Sequence, residues 1–319
     1  MVKTDIKNIA IIGAGTMGSG IALIFSLHRF RVFLYDVDQQ TLDRALANIK
    51  SNLKLLADES VIERDSIESA YNLIEPTFSL EDAAEEADFV IECVPEKLVL
   101  KQDIFRKLDM LVSKEAILAT NTSVMSISEI AAKAKNKERI IGTHFWNPPF
   151  LLPLVEVVQT ANSSADVINL TIDLLRRVGK KPVRVKKDVP GFVANRLQHA
   201  LWRESLYLVE QGIADPETVD ECIKYSFGMR LPVLAPLENM DMVGLDMTLA
   251  IHDYIFKYLN NSELPSALLR EKVDKGELGF KSGLGFQSWS NEDIAASKKR
   301  LTRYLIHSIK QIEHDEFIE

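Results

Sequence analysis

Cysteine is nearly absent from this chain of 319 residues, which has only Cys93 and Cys222. Two cysteines so far apart exclude a disulfide framework and a cysteine-based metal site, and they are typical of a reducing compartment. An excess of positive charge is also lacking, because 38 lysines and arginines stand against 46 aspartates and glutamates, for a net charge of −8. This balance argues against nucleic acid as a partner.

Long apolar runs are missing too, although 46% of the residues are hydrophobic. No run approaches the roughly 20 residues that span a membrane, and a strand pattern within the first dozen residues predicts that there is no signal peptide. We therefore expect no metal site, no membrane partner and a cytoplasmic location. The length and a charged fraction of 26% are typical of a globular protein with two domains.

The most informative segment is NIAIIGAGTMGSG, at residues 8–20. Its apolar run meets three glycines that have separate tasks. Gly13 permits a tight turn, Gly15 lets the backbone approach a pyrophosphate, and Gly18 lets a helix pack close to its strand. The helix after the turn would direct unpaired N–H groups at the phosphates, so that Thr16 and Met17 belong to the same predicted site.

A second apolar run, RVFLYD at residues 31–36, ends in Asp36. At the tip of a second strand its carboxylate can accept hydrogen bonds from both hydroxyls of an adenosine ribose, and it would repel a 2′-phosphate. The strand, the glycine turn, the helix and the acid at this distance together predict that the cofactor is NAD rather than NADP.

Strand and helix patterns alternate from residue 9 to about residue 187. Short apolar runs after the first two strands indicate six more, at residues 73–77, 88–93, 116–120, 139–144, 154–159 and 182–186. Helical patterns lie between most of them, at residues 39–56, 97–111, 127–134 and 165–178. This alternation predicts an α/β fold with a doubly wound, mainly parallel sheet of the Rossmann type, in which ligands bind beyond the carboxyl ends of the strands.

The pattern changes at KKDVPG, residues 186–191, and no strand signal follows. Helical patterns occupy residues 192–212, 216–227, 242–259 and 264–273, a glycine-rich loop occupies 276–289, and apolar residues recur at helical spacing from Ile294 to Ile312. We predict an NAD-binding domain over residues 1–187 and an all-α C-terminal domain over residues 188–319.

Four polar residues are candidates for the chemistry. His144 ends a predicted strand and is followed by FWNPP, a turn that no helix could continue through. Glu156 interrupts the apolar strand PLVEVV, and a buried acid needs a partner such as an imidazolium. Ser123 follows another strand and Asn195 follows the change of pattern. Each alone is typical of ordinary hydrogen bonding, but together at one sheet edge they predict a site that moves a proton.

The chain resembles the 3-hydroxyacyl-CoA dehydrogenases over nearly its whole length. The similar segments are GAGTMGSGIA (13–22), IECVPE (91–96), TNTS (120–123), HFWNPP (144–149), LVEVV (154–158), PGFVANR (190–196), VGLD (243–246) and KSGLGF (281–286). The resemblance implies that His144 is the catalytic base, that Glu156 holds its tautomer and stabilises its charged form, and that Ser123 and Asn195 bind the substrate oxygen.

The resemblance also extends to the cofactor and the assembly. It implies that Glu96, Lys101 and Asn147 contact the nicotinamide half of NAD, and that Lys281 contributes to the cofactor site. It further implies a homodimer formed through the helical domain.

Departures from the family's usual text leave two substrate classes open. Arg230, in FGMRLPVLAPLE, resembles a basic residue of relatives that act on free 3-hydroxy acids, and a guanidinium suits a free carboxylate. The ordinary alternative is a surface pair with Glu221 or Glu238. Lys50 and Lys54 lie roughly where the acyl-CoA branch meets the CoA nucleotide, although two lysines four apart are most often a solvated helix face.

We expect an NAD-dependent oxidoreductase of fatty acid metabolism that interconverts an L-3-hydroxyacyl-CoA, such as 3-hydroxybutyryl-CoA, and the 3-oxoacyl-CoA. The alternative is the dehydrogenase of a free 3-hydroxy acid, as in gulonate and carnitine dehydrogenases. The 3-hydroxyisobutyrate and phosphogluconate enzymes share the early glycine text but rely on a catalytic lysine. A structural protein, such as the lens crystallin of this family, would not need Ser123, His144, Glu156 and Asn195 together.

Overall fold

The computed structural model describes residues 3–315, and its contacts divide the chain into two compact units. Among these residues, one unit contains 3–195 together with 301–315, and the other is Arg196–Arg300. Residues 301–315 therefore group with the first unit, whereas the sequence pattern placed them in the helical domain. No helix in the described part of the chain has both the length and the hydrophobicity needed to cross a bilayer.

An eight-stranded sheet runs through the first unit. Its strands are β1 (Asn8–Ile12), β2 (Arg31–Tyr35), β3 (Ile74–Thr77), β4 (Phe89–Glu92), β5 (Ile117–Thr120), β6 (Ile140–Phe145), β7 (Leu154–Val158) and β8 (Lys181–Val185). Their order is β3-β2-β1-β4-β5-β6-β7-β8, in which the first six are parallel, as in a doubly wound dinucleotide-binding sheet. Only β7 pairs antiparallel, with β6, and β8 then runs parallel to β7.

Helices connect these strands. They are α1 (Thr16–Leu27), α2 (Gln39–Asp58), α3 (Ser66–Tyr71), α4 (Leu80–Glu85), α5 (Leu98–Leu111), α6 (Ile127–Ile130) and α7 (Ala165–Arg177), with 3-10 turns at Ala131–Lys133 and Lys137–Arg139. The longest of these, α2, is capped at its N-terminus by Asp38, whose side chain accepts the N–H of Thr41. The predicted helix at 127–134 is thus a single α-turn followed by a 3-10 turn.

The core of the first unit has two layers because side chains alternate between the faces of the sheet. Ile9 and Ile11 of β1 lie in a cluster with apolar residues of α1, α2 and α7. Ala10 and Ile12 lie in the opposite cluster, with residues of α4 and α5. Burial of both faces explains the nearly continuous apolar text of these strands.

The remaining helices are α8 (Ala194–Glu210), α9 (Pro216–Lys224), α10 (Phe227–Arg230), α11 (Pro236–Val243), α12 (Leu245–Ile255), α13 (Ala267–Asp274) and α14 (Asn291–Asp315). The predicted helix at 242–259 is in fact parts of two helices, α11 and α12. Gly244 separates them with a φ of 101°, a conformation that suits glycine and ends a right-handed helix.

Candidate active site

The turn between β1 and α1 has the shape that a pyrophosphate requires. Gly13 has a φ of 108°, and a Cβ there would lie 2.8 Å from the carbonyl oxygen of Cys93. A Cβ on Gly18 would lie 1.8 Å from the carbonyl oxygen of Gly13. A Cβ on Gly15 would meet nothing within 4 Å, so this backbone is open to a ligand. The N-terminus of α1 has no side-chain cap, and its N–H groups can therefore bind an anion.

Asp36 lies just beyond β2 and is held against this turn. One carboxylate oxygen accepts the N–H of Ala14 at 2.8 Å, and the other accepts the N–H of Asp38 at 3.1 Å. The acid is partly exposed, so its charge is fixed in place while one side stays accessible. This arrangement fits the adenosine end of NAD, as the sequence predicts.

We expect kcat/KM with NAD⁺ to exceed that with NADP⁺ by at least about tenfold, because a carboxylate beside a 2′-phosphate costs on the order of 1–2 kcal/mol. Steady-state kinetics with both cofactors measure the ratio. Asp36→Asn should reduce it, and Asp43→Asn, on the exposed face of α2, is the matched control. Equal kcat/KM values for the two cofactors in the wild type would contradict the assignment.

His144 and Glu156 form a buried pair across two strands. They are direct partners in the antiparallel register of β6 and β7, and His144 Nδ1 lies 2.8 Å from Glu156 Oε2. Their side chains are 5% and 1% exposed. Since a carboxylate can only accept, Nδ1 carries the hydrogen, and Nε2 of a neutral ring is left with a free lone pair.

The other carboxylate oxygen of Glu156, Oε1, accepts the N–H groups of Val193 and Ala194 at 2.9 and 3.0 Å. Burial acts to raise the pKa of Glu156, but the hydrogen bonds from His144, Ala194 and Val193 outweigh it and hold that pKa below its usual range. Glu156 therefore stays ionised beside His144 at neutral pH.

Ser123 and Asn195 are joined to the same structure. Asn195, in the first turn of α8, donates from Nδ2 to the carbonyl oxygen of Ser123 at 2.9 Å. Asn121, two residues before Ser123, accepts the N–H of Phe145 from the end of β6 at 2.9 Å. Hydrogen bonds thus join the four residues as two pairs, and the bonds of Asn121 to Phe145 and of Glu156 to Val193 and Ala194 hold the segments of the two pairs together.

Glu96 and Lys101 belong to a charged network beyond the end of β4. The Lys101 ammonium donates to Glu92 Oε1 at 2.8 Å and to the carbonyl oxygen of Val94 at 3.1 Å, and it lies 3.4 Å from Glu96 Oε2. Glu96 in turn accepts the N–H of Ser123 at 2.7 Å. Lys101 is only 1% exposed, and its contacts join the buried Glu92 to the more exposed Glu96.

Glu92 is a member of this network that sequence reasoning missed. It is fully buried and also accepts the hydroxyl of Thr120 at 2.7 Å. The signal was present in the sequence, because an acid ends the apolar strand FVIE much as Glu156 interrupts PLVEVV.

The predicted substrate residues differ in their surroundings. Lys50 Nζ lies 3.3 Å from Glu68 and 5.2 Å from the ring centroid of Tyr71, so its charge is already partnered by α3, whereas Lys54 is exposed. Arg230 ends α10 and is exposed, and no ion pair joins it to Glu221 or Glu238 in the described residues.

Two predicted cofactor residues remain. Asn147 is exposed in the loop between β6 and β7, three residues after His144. Lys281 lies in the second unit, where it lines a mostly apolar cavity of about 650 Å³ together with Trp202, Leu206 and Phe286.

Comparison with known proteins matches two family models to this chain. Residues 8–189 match the NAD binding domain of 3-hydroxyacyl-CoA dehydrogenase, and residues 191–289 match the C-terminal domain of the same enzyme.

Two curated relatives illustrate the similarity. A 5-formyl-3-hydroxy-2-methylpyridine 4-carboxylate 5-dehydrogenase of Mesorhizobium japonicum is 35% identical over 304 residues, which cover 94% of this chain and 96% of that protein. A probable 3-hydroxybutyryl-CoA dehydrogenase of Bacillus subtilis is 38% identical over 289 residues, which cover 90% and 99%.

Solved structures of a pyridine carboxylate dehydrogenase and of a 3-hydroxybutyryl-CoA dehydrogenase are each similar to at least 90% of this chain. The pyridine carboxylate dehydrogenase, described as an NAD⁺-dependent dismutase, matches with a TM-score of 0.90 at 34% identity and covers 97% of this chain and 99% of its own. The (S)-3-hydroxybutyryl-CoA dehydrogenase of Ralstonia eutropha matches with a TM-score of 0.75 at 33% identity and covers 90% and 100%.

Proposed function

The chain belongs to the 3-hydroxyacyl-CoA dehydrogenase family, and from this premise we propose that it oxidises a hydroxyl group β to a carboxyl carbon, with His144 as the base. The observation that carries the proposal is the buried pair of His144 and Glu156. Its 2.8 Å contact leaves Nε2 of the imidazole free to take a proton. An imidazole in this state is the usual general base of a neutral-pH proton transfer.

The reaction divides between cofactor and protein. Bound along the glycine turn, NAD⁺ supplies the acceptor for the hydride. His144 Nε2 takes the proton of the substrate hydroxyl as the C–H bond breaks, and Glu156 stabilises the imidazolium that forms. Ser123 and Asn195 orient the substrate oxygen, and the reverse reduction returns the proton from His144 to that oxygen.

For the substrate, we favour a free carboxylic acid over a CoA thioester. Arg230 is an exposed guanidinium with no ion pair to Glu221 or Glu238 in the described chain, and it suits a carboxylate. Lys50, which would meet a CoA nucleotide, is instead paired with Glu68.

A CoA thioester is the second candidate, because the relatives named for 3-hydroxybutyryl-CoA are equally similar in sequence and Lys54 is exposed on α2. Steady-state kinetics with NAD⁺ on 3-hydroxybutyrate, a longer 3-hydroxy acid and 3-hydroxybutyryl-CoA discriminate the two. We expect NADH formation with the free acids. Turnover of the thioester alone would overturn the substrate assignment, and no turnover of any of them would contradict the reaction.

We further propose a homodimer formed through the helical unit, in the cytoplasm, where the free Cys93 and Cys222 would stay reduced. The second unit buries almost no apolar side chain of its own: Val219 is the one large hydrophobic residue that is buried among its described residues. Large apolar side chains of α11 and α12 are exposed instead, including Leu237, Met242, Leu245, Leu249 and Tyr254. A patch of this kind marks an interface.

The assembly has a direct test in solution. Light scattering should give about twice the chain mass of 35.9 kDa. Leu249→Glu combined with Tyr254→Glu should give the monomer, whereas Val37→Glu, at an exposed site of the first unit, should not. A monomeric wild type would contradict the proposal.

A further inference from the structure

Lys180 is a buried cation that the reaction described above does not use. It lies between the end of α7 and the start of β8, and only 8% of the residue is exposed. Its ammonium donates to the carbonyl oxygens of Pro149 at 2.6 Å and Leu152 at 3.1 Å. No carboxylate forms an ion pair with it in the described part of the chain. Burial of an ammonium without a counter-charge is costly. The hydrogen bonds to these two carbonyl oxygens offset that cost, and they are what Lys180 contributes to the fold.

Both carbonyls belong to the loop of residues 146–153, which connects β6 to β7 and hence His144 to Glu156. The N–H groups of Leu151 and Leu152 both donate to the carbonyl oxygen of Pro148 at 3.0 Å, which makes the loop compact. Asn147, for which the sequence predicts a contact with the nicotinamide, is part of this loop.

The opposite side of the loop packs against the cofactor helix. A Cβ on Gly20 of α1 would lie 2.5 Å from Cγ of Pro149, so only glycine allows this approach. Pro149 is therefore enclosed between α1 and Lys180.

We propose that Lys180 is a positioning residue, which presses the 146–153 loop against α1 and so fixes the distance between the bound cofactor and the two strands of the catalytic pair. This inference rests on the proposed function. A displacement of about 1 Å at reacting groups can cost about a hundredfold in rate, so an anchor of this kind affects kcat as well as cofactor affinity.

The electrostatics of Lys180 give the inference a second readout. Burial lowers the pKa of Lys180 to about 8, so the charge that attracts the two carbonyls is lost as the pH rises through that value. Neither the loop nor α1 contains a titratable side chain. The nearest charged residues along the chain are Arg176, Arg177 and Lys181, and the ring of His28 lies near the adjacent Gly179.

The experiment compares Lys180→Met with Lys186→Met, an exposed lysine of the same region. The readouts are the Kd of NADH by fluorescence and the pH profile of kcat. For Lys180→Met we expect an NADH Kd about tenfold higher and a kcat about tenfold lower. The wild type and Lys186→Met should share a loss of kcat near pH 8 that Lys180→Met lacks. Lys180→Met retains His28, Arg176, Arg177 and Lys181. The absence of the loss near pH 8 in this variant would therefore assign that loss of kcat to the titration of Lys180.

Gly20→Ala provides a second variant, because it displaces Pro149 while leaving Lys180 intact, and it tests the contact between the loop and α1 if Lys180→Met does not fold. It should raise the NADH Kd and lower kcat in the same direction. If the NADH affinity and the kcat of Lys180→Met were equal to those of Lys186→Met, the inference would be overturned. The NADH arm is independent of the substrate, so absence of turnover in the wild type would count against the proposed function alone.

Discussion

Replacement of His144 by alanine is expected to lower kcat for oxidation of the hydroxy substrate by at least about a hundredfold, as loss of a positioned general base does. NAD⁺ affinity should change little, because the imidazole is held by Glu156 at the strand pair and not by the glycine turn. Steady-state kinetics together with a separate NADH titration measure the two quantities. His307→Ala, at an exposed position of α14, is the control.

Glu156→Gln should be milder than His144→Ala because the base remains. Without the carboxylate, the protonated imidazole loses its counter-charge, so the pH profile of oxidation should shift to lower pH with reduced amplitude. A shift to higher pH would contradict the pairing of His144 with Glu156. Retention of most of kcat in His144→Ala would show that another group is the base.

The second large effect concerns Arg230. Arg230→Met should raise KM for a free 3-hydroxy acid by roughly ten- to a hundredfold, because one charge-assisted hydrogen bond contributes about 1.5–3 kcal/mol. NAD⁺ binding should remain intact, and a CoA thioester, which lacks that carboxylate, should hardly be affected. KM values for matched acid and thioester substrates give the comparison, with Arg270→Met on α13 as an exposed control.

Replacement of both Lys50 and Lys54 by alanine should have the opposite selectivity to Arg230→Met, because it would affect a thioester and not a free acid. If the substrate is a thioester, its KM should rise, because these lysines would meet the nucleotide phosphates. If the substrate is a free acid, its KM should not change in this variant. Because Lys50 is paired with Glu68, we expect an unchanged KM. A higher thioester KM in the lysine variant, with an unaffected Arg230→Met, would identify the acyl-CoA enzyme.

Much of the first unit was predictable because most of its β-strands are buried on both faces and read as short apolar runs, although β3 and β8 at the edges of the sheet are largely exposed. The strand bounds differ from the predicted ones by one or two residues, as for residues 88–93 against Phe89–Glu92. The short helices α3 and α4 were missed, since two turns of helix contain too few apolar residues to show a period. The reversed direction of β7 was also not predictable, because apolar text does not encode strand direction.

The candidate site also has a part that was predictable from the sequence and a part that was not. His144 and Glu156 were predicted to pair because an acid within an apolar strand needs a partner, and the structure brings them together. The surroundings of Lys101 and the anchor at Lys180 depend on contacts between residues that are distant in sequence. Lys180 reads as one of two adjacent lysines before a strand, and only packing distinguishes it from exposed Lys181.

The antiparallel register of β6 and β7 has a consequence for how such enzymes diverge. Because His144 and Glu156 face each other across a ladder of main-chain hydrogen bonds, their spacing is inherited with the sheet. Arg230, in contrast, lies on a short exposed helix outside that sheet, where replacement leaves the ladder intact. Under the roles proposed above, a change of substrate needs only changes in exposed segments such as α10, while the strand pair that holds the base is kept, and the chain is similar both to a relative named for a pyridine carboxylate and to one named for an acyl-CoA thioester.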